Sequence, residues 1–160
     1  MTNKINKKFL IYLLAFIFLI LVSAFAVEYI LGHKPCKLCL YQRIPYFIAI
    51  LLIAKIFLTN NYEKVTLLIL SIVFISSSIL AFYHFGIEQG FFKESFTCTA
   101  KNLSETLSKK EILEQLKQNI ISCKDVSFKI AGLSLATINT IFSICLSVIF
   151  IRLFTNYGKN

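Results

Sequence analysis

Four long apolar segments limit what this chain of 160 residues can fold into. About 20 predominantly apolar residues are needed for a helix to cross the hydrocarbon core of a bilayer. Only 16% of the residues are charged and the mean hydropathy is +0.73, whereas roughly 25% of residues are charged in an average soluble protein. The apolar segments are 9–31, 44–58, 65–87 and 130–154. We therefore predict an all-α membrane protein in which residues 1–160 form one domain, a bundle of four transmembrane helices.

The second segment is the shortest of the four and contains Lys55. A lysine near a helix end extends its charged group to the membrane interface, so it is compatible with a span. Four spans place both termini on one side of the membrane and the external loops 32–43 and 88–129 on the other side.

The positive charges beside the spans predict the orientation, because cytoplasmic flanks are enriched in lysine and arginine. The charges on the side of the termini are Lys4, Lys7, Lys8, Lys64, Arg152 and Lys159, against Lys34, Lys37 and Arg43 in the first external loop. We predict that the termini are cytoplasmic. The net charge of +9 does not indicate nucleic-acid binding, because these charges lie beside spans and form no basic face on a folded domain. Anionic lipid headgroups are the expected partners.

The N-terminus also has features of a secretory signal, since lysines precede the first apolar run and the small residues Ala24 and Ala26 follow it. A signal core is usually 7 to 15 residues long. Here the apolar character continues to Leu31, so we expect the segment to remain as the first span.

Four cysteines lie in the external loops, as a close pair, Cys36 and Cys39, and a wide pair, Cys98 and Cys123. Two thiols at the spacing C-x-x-C can close a small ring, and nearby positive charge favours the thiolate that carries out disulfide exchange. This pattern predicts a relay of electron pairs at a membrane surface. The fifth cysteine, Cys145, lies within a span, where a thiol behaves as a small hydrophobic group, and we assign it no role.

Zinc and haem are the main alternatives for the close pair. A zinc site needs about four ligands, and Cys98, Cys123, His33 and His84 offer no second close pair or spaced histidine pair. Attachment of c-type haem needs a histidine directly after the second cysteine, where this chain has Leu40. We therefore expect no metal, and a static disulfide remains the structural alternative.

The second external loop has a helical pattern. Ser108 and Glu111 have the spacing of a capping box, and apolar residues then recur at helical intervals, namely Ile112, Leu113, Leu116, Ile120 and Ile121. The pattern predicts a short amphipathic helix that lies on the bilayer or packs on the bundle.

Several motifs together resemble those of the bacterial disulfide bond formation protein B (DsbB) family. They are Cys36 to Arg43 (CKLCLYQR), Tyr83 to Glu88 (YHFGIE), Phe96 to Cys98 (FTC), Cys123, and Gly132 to Ser134 with Asn139. The resemblance covers nearly the whole chain, including cysteine order and helix number. One departure is Gln42, where some members of the family have Glu.

The resemblance implies an inner-membrane enzyme that reoxidises a soluble periplasmic thioredoxin-like oxidase (DsbA-like) and passes electrons to a quinone, ubiquinone or menaquinone. By residue match, Cys98 receives the partner's thiolate, Cys123 is its bridge partner and Cys36 exchanges with this wide pair. Cys39 faces the quinone. We expect disulfides 36–39 and 98–123 at rest, with both cysteine loops in the periplasm.

The same resemblance assigns Arg43 to the quinone, where it holds the quinone oxygen as charge develops on it, although such an arginine is otherwise a plain interfacial anchor. His84, an ionisable residue near the end of a span, is a quinone contact or proton donor, or a histidine that meets water at the interface. Glu88, one turn further on, is either its partner or a loop acid.

Two other functions fit the composition. One is a vitamin K epoxide reductase-like enzyme, in which the close pair is expected inside a later helix. The other is a non-enzymatic membrane scaffold with structural disulfides, whose cysteines would never respond to quinone.

Overall fold

The computed structural model describes residues 6–59, 62–93, 123, 129–130 and 133–157. Within these ranges the chain forms four helices, α1 (Lys7–Tyr29), α2 (Lys37–Leu58), α3 (Glu63–Glu88) and α4 (Leu135–Asn156). Each of the four is long and apolar enough to cross a membrane. The predicted fold class, a four-span helical membrane protein, is confirmed.

The second helix begins at Lys37, seven residues before the predicted start of the span at residue 44. The side chain of Cys36 accepts a hydrogen bond from the backbone N–H of Cys39 at 3.2 Å and so caps the helix. The helix continues through Pro45. The apolar span predicted from residue 44 is the inner part of this longer helix, whose first two turns carry Lys37 and Arg43.

The fourth helix begins later than predicted, at Leu135 instead of residue 130. Two short strands before it, β1 (Lys129–Ile130) and β2 (Leu133–Ser134), pair in antiparallel fashion, with Lys129 opposite Ser134. Ser134 then caps the helix by accepting a hydrogen bond from the backbone N–H of Thr137 at 3.1 Å. The apolar residues of the two strands had been counted as part of the span.

Helix α3 packs along α4, and α2 packs against both α1 and α3. The centre of the core is aromatic: the ring of Phe74 stacks on that of Phe150, with centroids 5.2 Å apart, and meets the edge of Tyr46 at 5.7 Å. The outward faces remain apolar, as at Leu51 and Ile79, which are 71% and 66% exposed. A surface of this kind suits lipid rather than water.

The C-terminus of α3 closes with a Schellman motif. Gly90 has φ +79°, its N–H donates to the carbonyl of Ile87, and the N–H of Phe91 donates to the carbonyl of Gly86. These two bonds satisfy carbonyls that the helix end leaves unpaired. The predicted amphipathic helix near residues 108–121 lies outside the described residues.

Candidate redox site at one end of the bundle

The close cysteine pair sits at the N-terminus of α2, with Cys36 as the capping residue and Cys39 in the first turn. Both are free cysteines, and their Sγ atoms are 2.7 Å apart. The expected 36–39 disulfide is therefore not formed here. A disulfide bond measures about 2.05 Å, so oxidation requires only a small approach of the two sulfur atoms.

The surroundings of Cys36 favour its thiolate. The pKa of Cys36 is lowered to about 5, mainly by the hydrogen bond from the Cys39 thiol. Burial of the thiol acts in the opposite direction, and a hydrogen bond from His84 lowers the pKa further. The N-terminus of α2 adds a positive dipole end at the same sulfur. These contacts favour a thiolate at Cys36.

His84 lies beside this pair, not at the water interface. Its side chain is buried, and Nε2 is 3.6 Å from Cys36 Sγ and 3.9 Å from Glu88 Oε1. Glu88 also accepts a hydrogen bond from the hydroxyl of Ser134. The imidazole therefore connects the thiols to a carboxylate at the end of α3, and the expected proximity of His84 and Glu88 is present.

The other ring nitrogen of His84 faces a chain of polar side chains that enters the core. Nδ1 is 3.1 Å from Gln42 Nε2, and Gln42 Oε1 accepts from Asn139 Nδ2 at 2.9 Å. Asn139 Oδ1 in turn accepts from the hydroxyl of Tyr46 at 2.7 Å. This set, Gln42, Asn139 and Tyr46, is called the amide relay below. It joins α2, α3 and α4 behind the thiols.

Arg43 forms part of a cavity wall between α1 and α2. Its Nη1 pairs with Glu28 Oε2 at 2.5 Å, Nη2 reaches the carbonyl of Ala24 at 3.5 Å, and the guanidinium lies 4.8 Å from the ring centroid of Phe25. The ion pair fixes the guanidinium at the edge of the apolar bundle, where α1 and α2 meet.

The cavity that these groups enclose has a volume of about 450 Å³. Cys39, Arg43, His84 and Asn139 line it, together with apolar residues of α1 and α4 such as Phe142. Small-molecule sites commonly have 300 to 1,000 Å³ and mostly apolar walls with a few polar groups. The cavity therefore has the size and lining of a small-molecule site beside the thiols.

The one described cysteine of the wide pair also reaches this site. Cys123 is disulfide-bonded, it is buried, and it belongs to the same side-chain cluster as Cys36, Leu38 and Ile87. Cys98 lies outside the described residues, so its predicted pairing with Cys123 stays a prediction. The structure thus brings a disulfide sulfur and the thiol pair into one buried cluster.

A family model described as disulfide bond formation protein DsbB matches residues 6–153. The chain belongs to the DsbB family. An uncharacterized protein of Rickettsia prowazekii (strain Madrid E) is 34% identical to it over 142 residues, which are 88% of this chain and 82% of the relative. The resemblance seen in the sequence is confirmed, and the chain is a multi-pass membrane protein of disulfide bond formation.

In this DsbB-family site, Cys36, Cys39 and His84 also have the donor types of a metal site, with all three donor atoms within 4.8 Å of one another. A zinc ion with Zn–S bonds of 2.3 Å holds two sulfurs roughly 3.8 Å apart in a tetrahedral site. The observed 2.7 Å is much shorter. The spacing suits bond formation between the sulfurs better than shared ligation of one ion. Cys145 is exposed on α4, away from this cluster.

The sequence missed several of the groups that surround the thiols. Glu28 was counted as part of an apolar span, although an ionisable residue within a span is by itself an indication of a functional site. Asn139 and Gln42 appeared only as members of family motifs. Their contact joins residues 97 positions apart, and nothing in either local sequence indicates it.

Proposed function

We propose that this chain is a thiol-disulfide oxidoreductase of the bacterial inner membrane, acting as one membrane domain. It reoxidises a soluble periplasmic thioredoxin-like (DsbA-like) dithiol and passes the electrons through two cysteine pairs to a membrane quinone. The observation that carries this proposal is the thiol pair at 2.7 Å, placed between a buried disulfide-bonded cysteine and a cavity lined by Arg43.

The first exchange takes place at the wide pair. A thiolate of the partner attacks Cys98 of a 98–123 disulfide, forms a mixed disulfide and releases Cys123 as a thiolate. The partner's second thiol then displaces Cys98, so that the partner leaves oxidised and the wide pair holds two electrons. Each step makes one disulfide bond and breaks one.

The second exchange returns the wide pair to its disulfide. A thiolate of the wide pair attacks Cys36 in a 36–39 disulfide and expels Cys39, and its resolution leaves Cys36 and Cys39 as the reduced pair. The packing of Cys123 in the cluster that contains Cys36 supports this transfer. The low pKa of Cys36 makes its thiolate a good leaving group when the intermediate resolves.

The cavity fits a quinone ring. Its apolar walls on α1 and α4 suit an isoprenoid compound that arrives from the bilayer, and Arg43 offers N–H donors beyond those that pair with Glu28. When bound, a quinone would take up the two electrons and two protons that Cys36 and Cys39 release as their disulfide forms, and it would leave as the quinol. Arg43 would stabilise the charge that develops on a ring oxygen, and Cys39 would face the ring.

The distribution of charge supports the proposed orientation. Lys7 and Lys8 at the start of α1, Lys64 in α3 and Arg152 near the end of α4 lie at the end of the bundle opposite the thiols. Under the positive-inside rule that end is cytoplasmic, and the cysteines then face the periplasm.

Turnover with purified protein tests the proposal. A reduced thioredoxin-like oxidase and a soluble ubiquinone are supplied, and quinone reduction is followed for the wild type, Cys39→Ser, Cys98→Ser and Cys145→Ser. We expect the first two variants to lose turnover and Cys145→Ser to keep it, because Cys145 lies away from the thiols. With Cys123 replaced, a partner adduct should accumulate on Cys98. Full activity of Cys39→Ser or Cys98→Ser would refute the two-pair mechanism.

A further inference from the structure

The hydrogen bonds of the amide relay all run in the same direction, from Tyr46 toward His84. Tyr46 donates its hydroxyl proton to Asn139 Oδ1, and Asn139 donates from Nδ2 to Gln42 Oε1. With Oε1 occupied as an acceptor, Gln42 presents its amide nitrogen to His84, at 3.1 Å from Nδ1. Every amide therefore uses its oxygen on the side of the core and its nitrogen on the side of the thiols.

The core end of the relay supports this direction. The hydroxyl of Tyr46 has one proton, which Asn139 receives, so its oxygen is left to accept from Ser143 at 3.2 Å. Because Ser143 gives its proton to Tyr46, its oxygen accepts in turn from the hydroxyl of Ser77, at 3.2 Å. Gln42, Tyr46, Ser143 and Ser77 are all buried, and Gln42, Tyr46 and Asn139 lie along the wall of the cavity.

The direction of the relay determines where His84 carries its proton. An amide NH₂ only donates hydrogen bonds, so Nδ1 of His84 must accept. In a neutral imidazole the proton is then on Nε2. That nitrogen is the one 3.6 Å from Cys36 Sγ, so the N–H points at the sulfur and at the neighbouring Glu88.

We propose that Gln42, Asn139 and Tyr46 are positioning residues that hold His84 with its proton on Nε2, as the hydrogen-bond donor to the Cys36 thiolate. The opposite tautomer would direct a nitrogen lone pair at the thiolate and repel it. The tautomer itself follows from the geometry, while its use in disulfide exchange rests on the proposed function. None of the three touches the reacting sulfurs.

Two nearly isosteric substitutions reverse the relay at different points. Gln42→Glu presents only acceptor oxygens when ionised, so Nδ1 of His84 must carry a proton to bond it. Asn139→Asp acts one step further away, because an ionised carboxylate at this position cannot donate to Gln42 Oε1. Gln42 must then turn its NH₂ toward that carboxylate and its oxygen toward His84, which again requires a proton on Nδ1.

Nitrogen-15 NMR of the ring nitrogens gives a readout that a purely structural role would not change. The chain has two histidines, and His33→Asn leaves His84 alone in the spectrum. In the reduced protein, at a pH where carboxyl groups are ionised, we expect a protonated Nε2 in the wild type and a protonated Nδ1 in both variants. Ser71→Ala is the control, because this buried hydroxyl on α3 bonds only its own helix, at Leu67 O.

The NMR result separates the two proposals, because it needs neither quinone nor partner. A wild-type proton on Nδ1, or an unchanged tautomer in both variants, would overturn the positioning role. Where the tautomer switches, we expect the rate of thiol exchange at Cys36 to fall about tenfold or more, the size of effect found when a hydrogen bond that orients a metal-binding histidine is lost. An unchanged exchange rate in a switched variant would also overturn it. If the wild type and the variants show the expected His84 tautomers but the wild-type protein does not reduce quinone, the result would count against the proposed function alone.

Discussion

At the scale of single residues, the chemistry depends on the asymmetry between two thiols three positions apart. Cys36 caps α2 and accepts hydrogen bonds from the Cys39 thiol, the Cys39 backbone and His84. Charged and titratable groups near it are Cys39, His84 and Glu88, with Cys123 in the same cluster. Because Cys39 and His84 donate hydrogen bonds to the Cys36 sulfur, they stabilise its thiolate form.

This asymmetry predicts the pH dependence of alkylation. The pKa of Cys36 is lowered to about 5, so in reduced protein its thiolate should persist above that pH and be lost only as the pH falls through it. Cys39→Ala removes the hydrogen bond that lowers the Cys36 pKa most. The midpoint of Cys36 labelling should then move upward toward the pKa of an ordinary thiol. Iodoacetamide labelling of the Cys36 peptide, followed by mass spectrometry across pH, measures both midpoints. A wild-type midpoint near that of a free thiol would contradict this description.

The sequence indicated which candidate residues lie together better than it indicated their surroundings. Cys36, Cys39, Arg43 and His84 were all chosen from motifs, and the structure places them around one cavity. Glu28, as the ion-pair partner of Arg43, was not foreseen, because the contact depends on the register between α1 and α2. The relay through Asn139 depends in the same way on how α4 lies against α2.

At the scale of elements, the helices were predictable and their ends were not. Hydropathy averages over a window, so the span predicted for α2 omitted its charged first turns and the span predicted for α4 included the apolar residues before Leu135. Capping by Cys36 and Ser134 sets the true starts. Such caps involve single side chains, which a window of about 20 residues does not resolve.

The end of α3 offers a test at this scale. Gly90 has φ +79°, a left-handed conformation that costs an ordinary L-residue about 1 kcal/mol. Gly90→Ala should therefore lower the thermal midpoint in detergent by roughly 2–4 °C, and Gly90→Asn should lower it less, since Asn tolerates this conformation better. Ser76→Ala, at an exposed helical position, serves as the control. Equal midpoints for Gly90→Ala and wild type would show that the Schellman motif does not contribute.

At the scale of the whole molecule, the fold places the thiol pair, Cys123 and the cavity at the same end of the bundle. Thr59, after α2, and Gln89, after α3, are exposed at opposite ends of these antiparallel helices. In a chain whose five cysteines are replaced by serine, single cysteines at these positions report orientation. An impermeant maleimide applied to intact spheroplasts should label position 89 and leave position 59 unlabelled. The reverse pattern would place the redox site in the cytoplasm.

The central claim is that the Cys36–Cys39 pair delivers its electrons to a quinone. The most direct measurement mixes fully reduced protein with a soluble ubiquinone without oxygen or partner, and follows quinol absorbance and the thiol state of each cysteine peptide. We predict one quinone reduced for each disulfide formed in the protein, two in all because both cysteine pairs start reduced, and none in Cys39→Ser. Quinone that stays oxidised, or is reduced equally by Cys39→Ser, would contradict the claim.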